Sequence, residues 1–373
     1  MKDKKNRFKV EILLSIILVI AILMSIITSC TPKPTGSDIS GTMETNKDTE
    51  SNEDTEPKTK MITDSAGRKV EIPTKIEKVV TVGPVGVLNC FVFTMGEGDT
   101  IANGLPPRFA KSGRWKYHTL FNPAIATNPV VEDGETVSME GLIEIDPDIV
   151  LTMDEKTAED IFNNTNLPAI VLNWEDPEDV KEAVNLLGEV YNKPEKAEEY
   201  SKYFDDTLAK IKDTVSKIPE EKKIRVLNAS LGSLSRPHVI AEWWITEAGG
   251  ISVTKEVDKG QRLEFSIEQL LKWNPEVIIV TGEEDEKLAY SDERFKNIEA
   301  VKNKRIYSTP TFGHVWTNRT MEQPLTVLWA AKLFYPEQFK DIDMEGELKL
   351  FSQKFFSYEL SDEECEEILG NME

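Results

Sequence analysis

The sequence predicts an α/β protein of two similar lobes, each with a mostly parallel central sheet, joined by one long bridging α-helix. Three observations predict it. A fourteen-residue segment occurs twice, 128 positions apart: Ser138-Met139-Glu140-Gly141-Leu142-Ile143-Glu144-Ile145-Asp146-Pro147-Asp148-Ile149-Val150-Leu151 returns as Ser266-Ile267-Glu268-Gln269-Leu270-Leu271-Lys272-Trp273-Asn274-Pro275-Glu276-Val277-Ile278-Ile279. Each copy reads as a short Ser-capped helix, a Pro break and a buried strand, and the period is far too long for a solenoid. Short apolar runs alternate with helical stretches on both sides of the middle, which argues for mostly parallel sheets. Between the two halves lies a helical stretch long enough to cross from one domain to another.

The elements follow in order. Thr63 to Pro73 reads as an opening hairpin with Ala66-Gly67 near its turn. Val79 to Val82 is a buried strand ending at Gly83-Pro84-Val85-Gly86, and a helix follows through Leu88, Phe91, Val92 and Met95. Thr100 to Ala102, Ile149 to Thr152 and Ala169 to Leu172 supply further strands. Pro177 to Tyr191 and Pro194 to Ile218 carry apolar residues at helical spacing, each with Pro at a suitable first position. The second would be about 37 Å long. A coiled-coil partner is the rival reading, weakened by a stripe of only about three heptads without strict a/d order. Ile224 to Ala229, Val277 to Thr281 and Arg305 to Ser308 repeat the strand plan, and Pro324 to Phe334 and Met344 to Phe356 read as closing helices.

The first thirty residues read as an export signal: Lys2, Lys4, Lys5, Arg7 and Lys9 form a basic head, and Ile12 to Ile27 is an almost unbroken apolar run. The run stops at Ile27-Thr28-Ser29-Cys30, which resembles the lipobox of bacterial lipoproteins and implies cleavage before a lipidated Cys30. The alternative is an uncleaved membrane anchor. Residues 31–60, rich in Thr, Ser, Asn, Asp, Glu, Lys and Pro, bury too little surface to order themselves and read as a tether. The expected organisation is signal peptide 1–30, tether 31–60, first lobe 61–176, connecting helices 177–218 with the bridging helix at 194–218, and second lobe 219–373.

A formal charge of −22 argues against nucleic acid and against a polybasic membrane patch. Cys90 and Cys365 lie far apart, one in an apolar run and one in an acidic tail, so buried or unpaired thiols are expected rather than a disulfide framework. An enzyme is disfavoured: there is no Gly-x-Ser-x-Gly, no Walker lysine motif and no His-Glu-x-x-His.

The hairpin, the strand-turn 79–86, both copies of Ser-x-Glu-x-Leu…Pro-[Asp/Glu] and the stretches 300–307 and 330–339 together resemble the type III periplasmic binding proteins. The resemblance runs from about residue 60 to 340. It implies the class III periplasmic binding protein fold and a monomeric receptor that holds its ligand between the lobes and uses no cofactor. It also implies an ABC-type permease and ATPase as partners, and a cargo such as an iron-siderophore complex, cobalamin, haem, a nickel chelate or a molybdate-type oxyanion. In that family one glutamate of each repeat docks onto permease arginines; these are Glu140 and Glu268 here. The rival reading of Glu268 is local, since Ser266 and Gln269 make a capping-box pattern and an acid there complements a helix N-terminus.

The expected ligand residues sit on loops at strand ends. They are Arg108, Trp115 and Tyr117 in the first lobe, and Arg262, His314, Trp316 and Arg319 in the second. Ser235-Arg236-Pro237-His238 and Trp243-Trp244 are further possibilities, the tryptophans also fitting a core helix. Arginines suit carboxylate, catecholate or phosphate oxygens and aromatics supply flat walls, so a ferric siderophore-type metal complex fits best. For each arginine a surface ion pair is the alternative. Arg262 stands where cobalamin-binding relatives have a tryptophan, which counts against cobalamin. Only His118, His238 and His314 exist, with no metal-ligand spacing among them, so direct metal ligation is disfavoured; the alternatives are convergence of the three from separate loops, or one histidine completing the coordination of a partly chelated metal. A membrane-tethered sensor is the reading from another class.

Overall fold

A computed structural model describes residues 58–370 apart from 112, 114, 135, 175–176, 258–259 and 261, together with every side chain in that range except that of Arg108. The signal, Cys30, residues 31–57 and Arg114 lie outside the described residues. In chain order the elements are β1 Thr59–Thr63, β2 Lys69–Pro73, β3 Val79–Thr81, α1 Val85–Thr94, α2 Pro107–Ala110, α3 Lys116–Phe121, α4 Met139–Ile145, β4 Ile149–Thr152, α5 Glu155–Thr165, β5 Ala169–Val171, α6 Val180–Val190 and α7 Pro194–Val215. There follow β6 Arg225–Ala229, β7 Ser235–Arg236, α8 Ala241–Glu247, β8 Ile251–Ser252, β9 Leu263–Glu264, α9 Ile267–Trp273, β10 Val277–Val280, α10 Glu283–Ser291, α11 Glu299–Lys302, β11 Ile306–Ser308, α12 Gln323–Phe334, α13 Met344–Phe351 and α14 Asp362–Leu369.

Two parallel sheets form the lobes. The first has strand order β3-β4-β5 and the second β11-β10-β6-β8. Side chains alternate across each strand, so one sequence run feeds two cores. Val79, Ile149, Leu151 and Ile170 face a core shared with Val226, Val277 and Ile279 of the second lobe, whereas Val80, Val150, Ala169 and Val171 face an outer layer. Leu227, Ile278 and Val280 do the same on the far side of the second sheet.

The repeated segment folds the same way twice. Ser138 accepts a hydrogen bond from Gly141 N and Ser266 from Gln269 N, and both helices end on a left-handed residue, Asp146 or Asn274, just before Pro. Leu142 and Leu270 are buried in the outer layers. The acid after each Pro is structural: Asp148 accepts from the backbone of Glu77 and Lys78 at 2.6 and 2.8 Å, and Glu276 from Arg225 N at 3.0 Å, each tying its copy to the neighbouring strand.

The opening hairpin is longer than the sequence indicates, with Thr59 opposite Pro73, and Gly67 at φ 78° supplies the left-handed turn residue. Buried Asp64 stitches this turn to the first lobe: it accepts from Arg68 Nη2 at 2.6 Å and from Val171 N at 3.0 Å. The strand expected at 100–102 reduces to a single bridge between Val79 and Ile101, because residues 98–100 form a 3-10 turn.

Helix α7 covers 22 residues, about 33 Å, and ends three residues before the expected Ile218, ahead of Pro219. Its buried stripe, Ala197, Tyr200, Phe204, Ile211 and Val215, packs between α6 and α12. The chain end is not confined to the second lobe: residues 352–356 pack against α1, and Lys116 pairs with Glu367 at 2.5 Å. Among the described residues no helix is long and apolar enough to cross a membrane, and Cys90 and Cys365 are both buried and free.

Candidate functional site

The C-terminal ends of β3, β4 and β5 point toward the second lobe, and the loops leaving them form one wall of a cavity of about 660 Å³. That wall is Gly83, Pro84, Gly86, Val87, Met153 and Asn173, joined by Phe109 and Trp115. The opposite wall is His238, His314, Val315, Asn318 and Arg319. Trp115 closes down on Gly86, where a β-carbon would meet its ring at 2.5 Å, so the start of α1 admits only glycine there. The same indole lies 4.8 Å from the His314 ring and 5.2 Å from the Phe109 ring, the latter in a T-shaped arrangement. Aromatic rings thus line the cavity from both walls.

Its polar groups lean toward anions. Arg319 reaches across from the second lobe to donate to Trp174 O at 3.2 Å and Asn173 Oδ1 at 3.4 Å. The His238 ring is pushed down to about 4, first by burial and then by the cations Arg319 and Arg236. It is therefore neutral at physiological pH, and because its Nδ1 accepts from Ile240 N at 3.0 Å, the proton sits on Nε2 as a donor. The His314 Nδ1 lies 3.3 Å from Val315 O, which can only accept, so that nitrogen carries a proton. Arg236 does not join this wall; wholly buried, it donates to Glu242 at 2.7 Å and Gly260 O at 2.5 Å.

A buried hydrogen-bond chain holds the two walls together. Thr81 donates to Asn89 Oδ1 at 2.7 Å, Asn89 Nδ2 lies 3.2 Å from His118 Nδ1, and His118 Nε2 donates to Gly313 O at 2.7 Å. Burial pushes His118 down to about 4, in keeping with this fixed neutral tautomer. On the far side Gly313 N, His314 N and Trp316 Nε1 all donate to Glu322 Oε1, and Thr320 donates to Oε2. Glu322 thereby shapes the loop that presents His314 and Arg319. Its burial raises it to about 7 against the pull of those donors.

Of the expected ligand residues, Trp115, His314 and Arg319 meet at this cavity. Three others do not. Trp316 is wholly buried, its ring 6.4 Å from Trp329 and its N–H spent on Glu322, so it supports the loop from behind. Tyr117 packs on Phe312 at 4.8 Å and lines a separate cavity beside residues 281–290 and 367–370. Arg262 is 56% exposed, 3.9 Å from Glu264 and away from the cavity wall. The side chain of Arg108 lies outside the described residues. Trp244 is core and Trp243 stacks on Phe204 of α7 at 6.1 Å. Sequence reasoning passed over Gly83, Met153 and Asn173, although each directly follows a strand it had identified. No cluster of three or more His, Cys, Asp or Glu placed to hold a metal ion is found among the described residues.

Glu140 and Glu268 are both exposed in the first turn of their helices. Ser266 and its own helix N-terminus hold the Glu268 carboxyl below its ordinary value, so its local capping contact and its exposure coexist. The reciprocal half of a capping box, from Gln269, is not formed.

Residues 98–311 match the periplasmic binding protein family. The molybdate-binding protein MolA of Haemophilus influenzae is 24% identical over 80% of this chain and 91% of its own. Its molybdate-bound crystal structure superposes with a TM-score of 0.71 at 22% identity, covering 81% of this chain and 99% of that one. A periplasmic solute binding protein from Veillonella parvula gives 0.73 at 25% identity, over 83% and 96% of the two chains. The iron(3+)-hydroxamate-binding protein YxeB of Bacillus subtilis is 21% identical over 52% of this chain and 65% of its own. The chain therefore belongs to the periplasmic binding protein family, in its type III class, a family of solute receptors and not of enzymes.

Proposed function

We propose that this protein is the extracytoplasmic receptor of an ABC importer and captures an anionic metal chelate of the ferric-siderophore type in the interlobe cavity. The observation that carries the ligand class is the cavity itself: about 660 Å³ with the Trp115 indole and Arg319 in its lining. That is room for a drug-sized ligand, far more than a four-oxygen anion fills. The Arg319 fork suits chelate carboxylate or catecholate oxygens, Trp115 and Phe109 supply the flat wall, and Nε2 of His238 adds a neutral donor. His314 adds an imidazole to the opposite wall, 4.8 Å from the Trp115 ring.

A molybdate-type oxyanion is the second reading, favoured by MolA, whose structure holds molybdate. Titration of the purified protein against a ferric siderophore, cobalamin, haem, nickel–histidine and molybdate separates them, with Trp115 in the cavity wall as the fluorescence reporter. Tight binding of ferric chelates alone supports the proposal; tight binding of molybdate alone replaces it with the second reading.

Delivery would use the two lobes at once. Glu140 and Glu268, one per lobe, are the carboxylates that engage basic side chains of the permease, giving orientation and rapid encounter. The lipobox-like end at Cys30 would tether a monomeric receptor to the membrane. Reversing both charges, Glu140→Lys with Glu268→Lys, should abolish uptake with ligand affinity intact; normal uptake by that double variant rejects the docking assignment.

A further inference from the structure

The two copies of the repeat agree in more than sequence. Along α4 and α9 the order of buried, half-buried and exposed positions is the same at every residue. Leu142 and Leu270 are buried, Glu140 and Glu268 exposed, and the two positions after the buried leucine are exposed again. The first of those two is a large aliphatic residue in both copies: Ile143 is 56% exposed and Leu271 39%. Each lies three residues after its glutamate, one helical turn along the same face.

Folding does not ask for an apolar residue there. The packing of each helix comes from Leu142 or Leu270, and both ends are capped without Ile143 or Leu271. One exposed leucine needs no explanation. A pair at equivalent places in two lobes, beside two equivalent exposed carboxylates, is a shared surface feature. A second copy of this chain would set carboxylates against carboxylates on molecules of net charge −22, so the complementary occupant is a basic one.

Resting on the docking reading above, we infer that Ile143 and Leu271 are the apolar anchors of that surface. Each lobe presents a carboxylate and an aliphatic side chain one turn apart. The permease would offer, at two positions, a basic side chain beside an apolar pocket. The carboxylates steer the encounter, and the aliphatics, desolvated on contact, slow the departure. The patches are not identical: Glu144 follows Ile143, whereas Lys272 follows Leu271, so the first-lobe patch is the more acidic.

The test measures binding of the full protein to its permease–ATPase complex in lipid nanodiscs, at low and high salt. Burying about half of one aliphatic side chain is worth roughly fivefold in affinity, so Ile143→Ser with Leu271→Ser should weaken docking about 25-fold. The loss should persist at high salt with ligand affinity unchanged, and urea unfolding checks that the serine variant remains folded. A parallel variant, Glu140→Gln with Glu268→Gln, should lose affinity chiefly at low salt. If the glutamine variant weakens and the serine variant binds like wild type, the anchors are overturned and docking stands. If neither variant weakens, the docking reading itself fails. If the serine variant instead abolishes a self-association of the wild type and leaves permease binding unchanged, the aliphatics serve contacts between copies and the inference is overturned.

Discussion

Replacing Glu322 by Gln should shift the stability balance between the two proteins by about 2–3 kcal/mol across the range from pH 5 to pH 8. The carboxyl is enclosed behind the cleft loop, where it accepts from Gly313 N at 2.8 Å, from His314 N and Trp316 Nε1 at 3.3 Å, and from Thr320. Burial raises it from the ordinary 4.5 to about 7 in spite of these donors. The folded chain therefore keeps a proton on Glu322 up to about pH 7, while the unfolded chain releases it near 4.5. A raised folded value contributes stability that is complete below the unfolded value and is lost as pH rises through the folded one. Wild type should thus weaken by about 2–3 kcal/mol between pH 5 and pH 8 through this group alone. Gln does not titrate, and its carbonyl can still accept from the loop while Thr320 turns to accept from its amide. Urea unfolding of both proteins at the two pH values, at one ionic strength, reads the effect, because all other titrations cancel in the comparison. A stability difference that is the same at pH 5 and pH 8 would refute the reasoning, since it would mean that the donors and not burial govern the carboxyl.

Three further outcomes are expected. His118, pushed down from 6.5 to about 4, contributes stability that is complete above 6.5 and lost as pH falls through 4. His118→Gln should therefore lose about 2 kcal/mol less than wild type between pH 7 and pH 4.5 in the same assay, and equal losses would count against a neutral buried ring. Leu142→Ala and Leu270→Ala should each cost about 2–5 kcal/mol of unfolding free energy, by similar amounts because both fill an outer layer at the same place in the repeat. Arg319→Ala should weaken ligand binding at least tenfold, or about 1.4 kcal/mol, whereas Arg262→Ala should leave it unchanged. A loss at Arg262 would return that residue to the site.

The doubled segment made the architecture legible because it carries its own local instructions. Ser138 and Ser266 start the helices, Asp146 and Asn274 before Pro end them, and unbroken aliphatic runs follow that only a sheet covered on both faces can bury. These are effects of neighbours within a few residues, which a linear pattern records. The bridging helix was legible for the same reason, through its apolar stripe and its starting Pro. Its end was misplaced by three residues, as helix ends commonly are.

The candidate site was legible only in part. Trp115, His314 and Arg319 stood out as aromatics and cations on loops between elements. Trp316 carried the same signal and faces the core, since which side of a loop a side chain takes depends on what the rest of the chain places behind it. Here that was Glu322, six residues on, collecting three N–H groups and a hydroxyl. Arg262 was expected at the cleft from the family resemblance and lies in solvent beside Glu264, outside the lining of this cavity.

By itself, the sequence determined the class of fold, the duplication, the exposed acids of the two repeats and the absence of familiar catalytic motifs, because periodicity, capping and spacing are local properties of the chain. Only the tertiary structure decided which loop residues share a cavity, that Asn89 and His118 tie one wall to Gly313 of the other, and which histidine nitrogen carries a proton. Those outcomes depend on contacts between residues as many as 195 positions apart, and burial and hydrogen bonding at such contacts are set by packing that no short window of sequence contains.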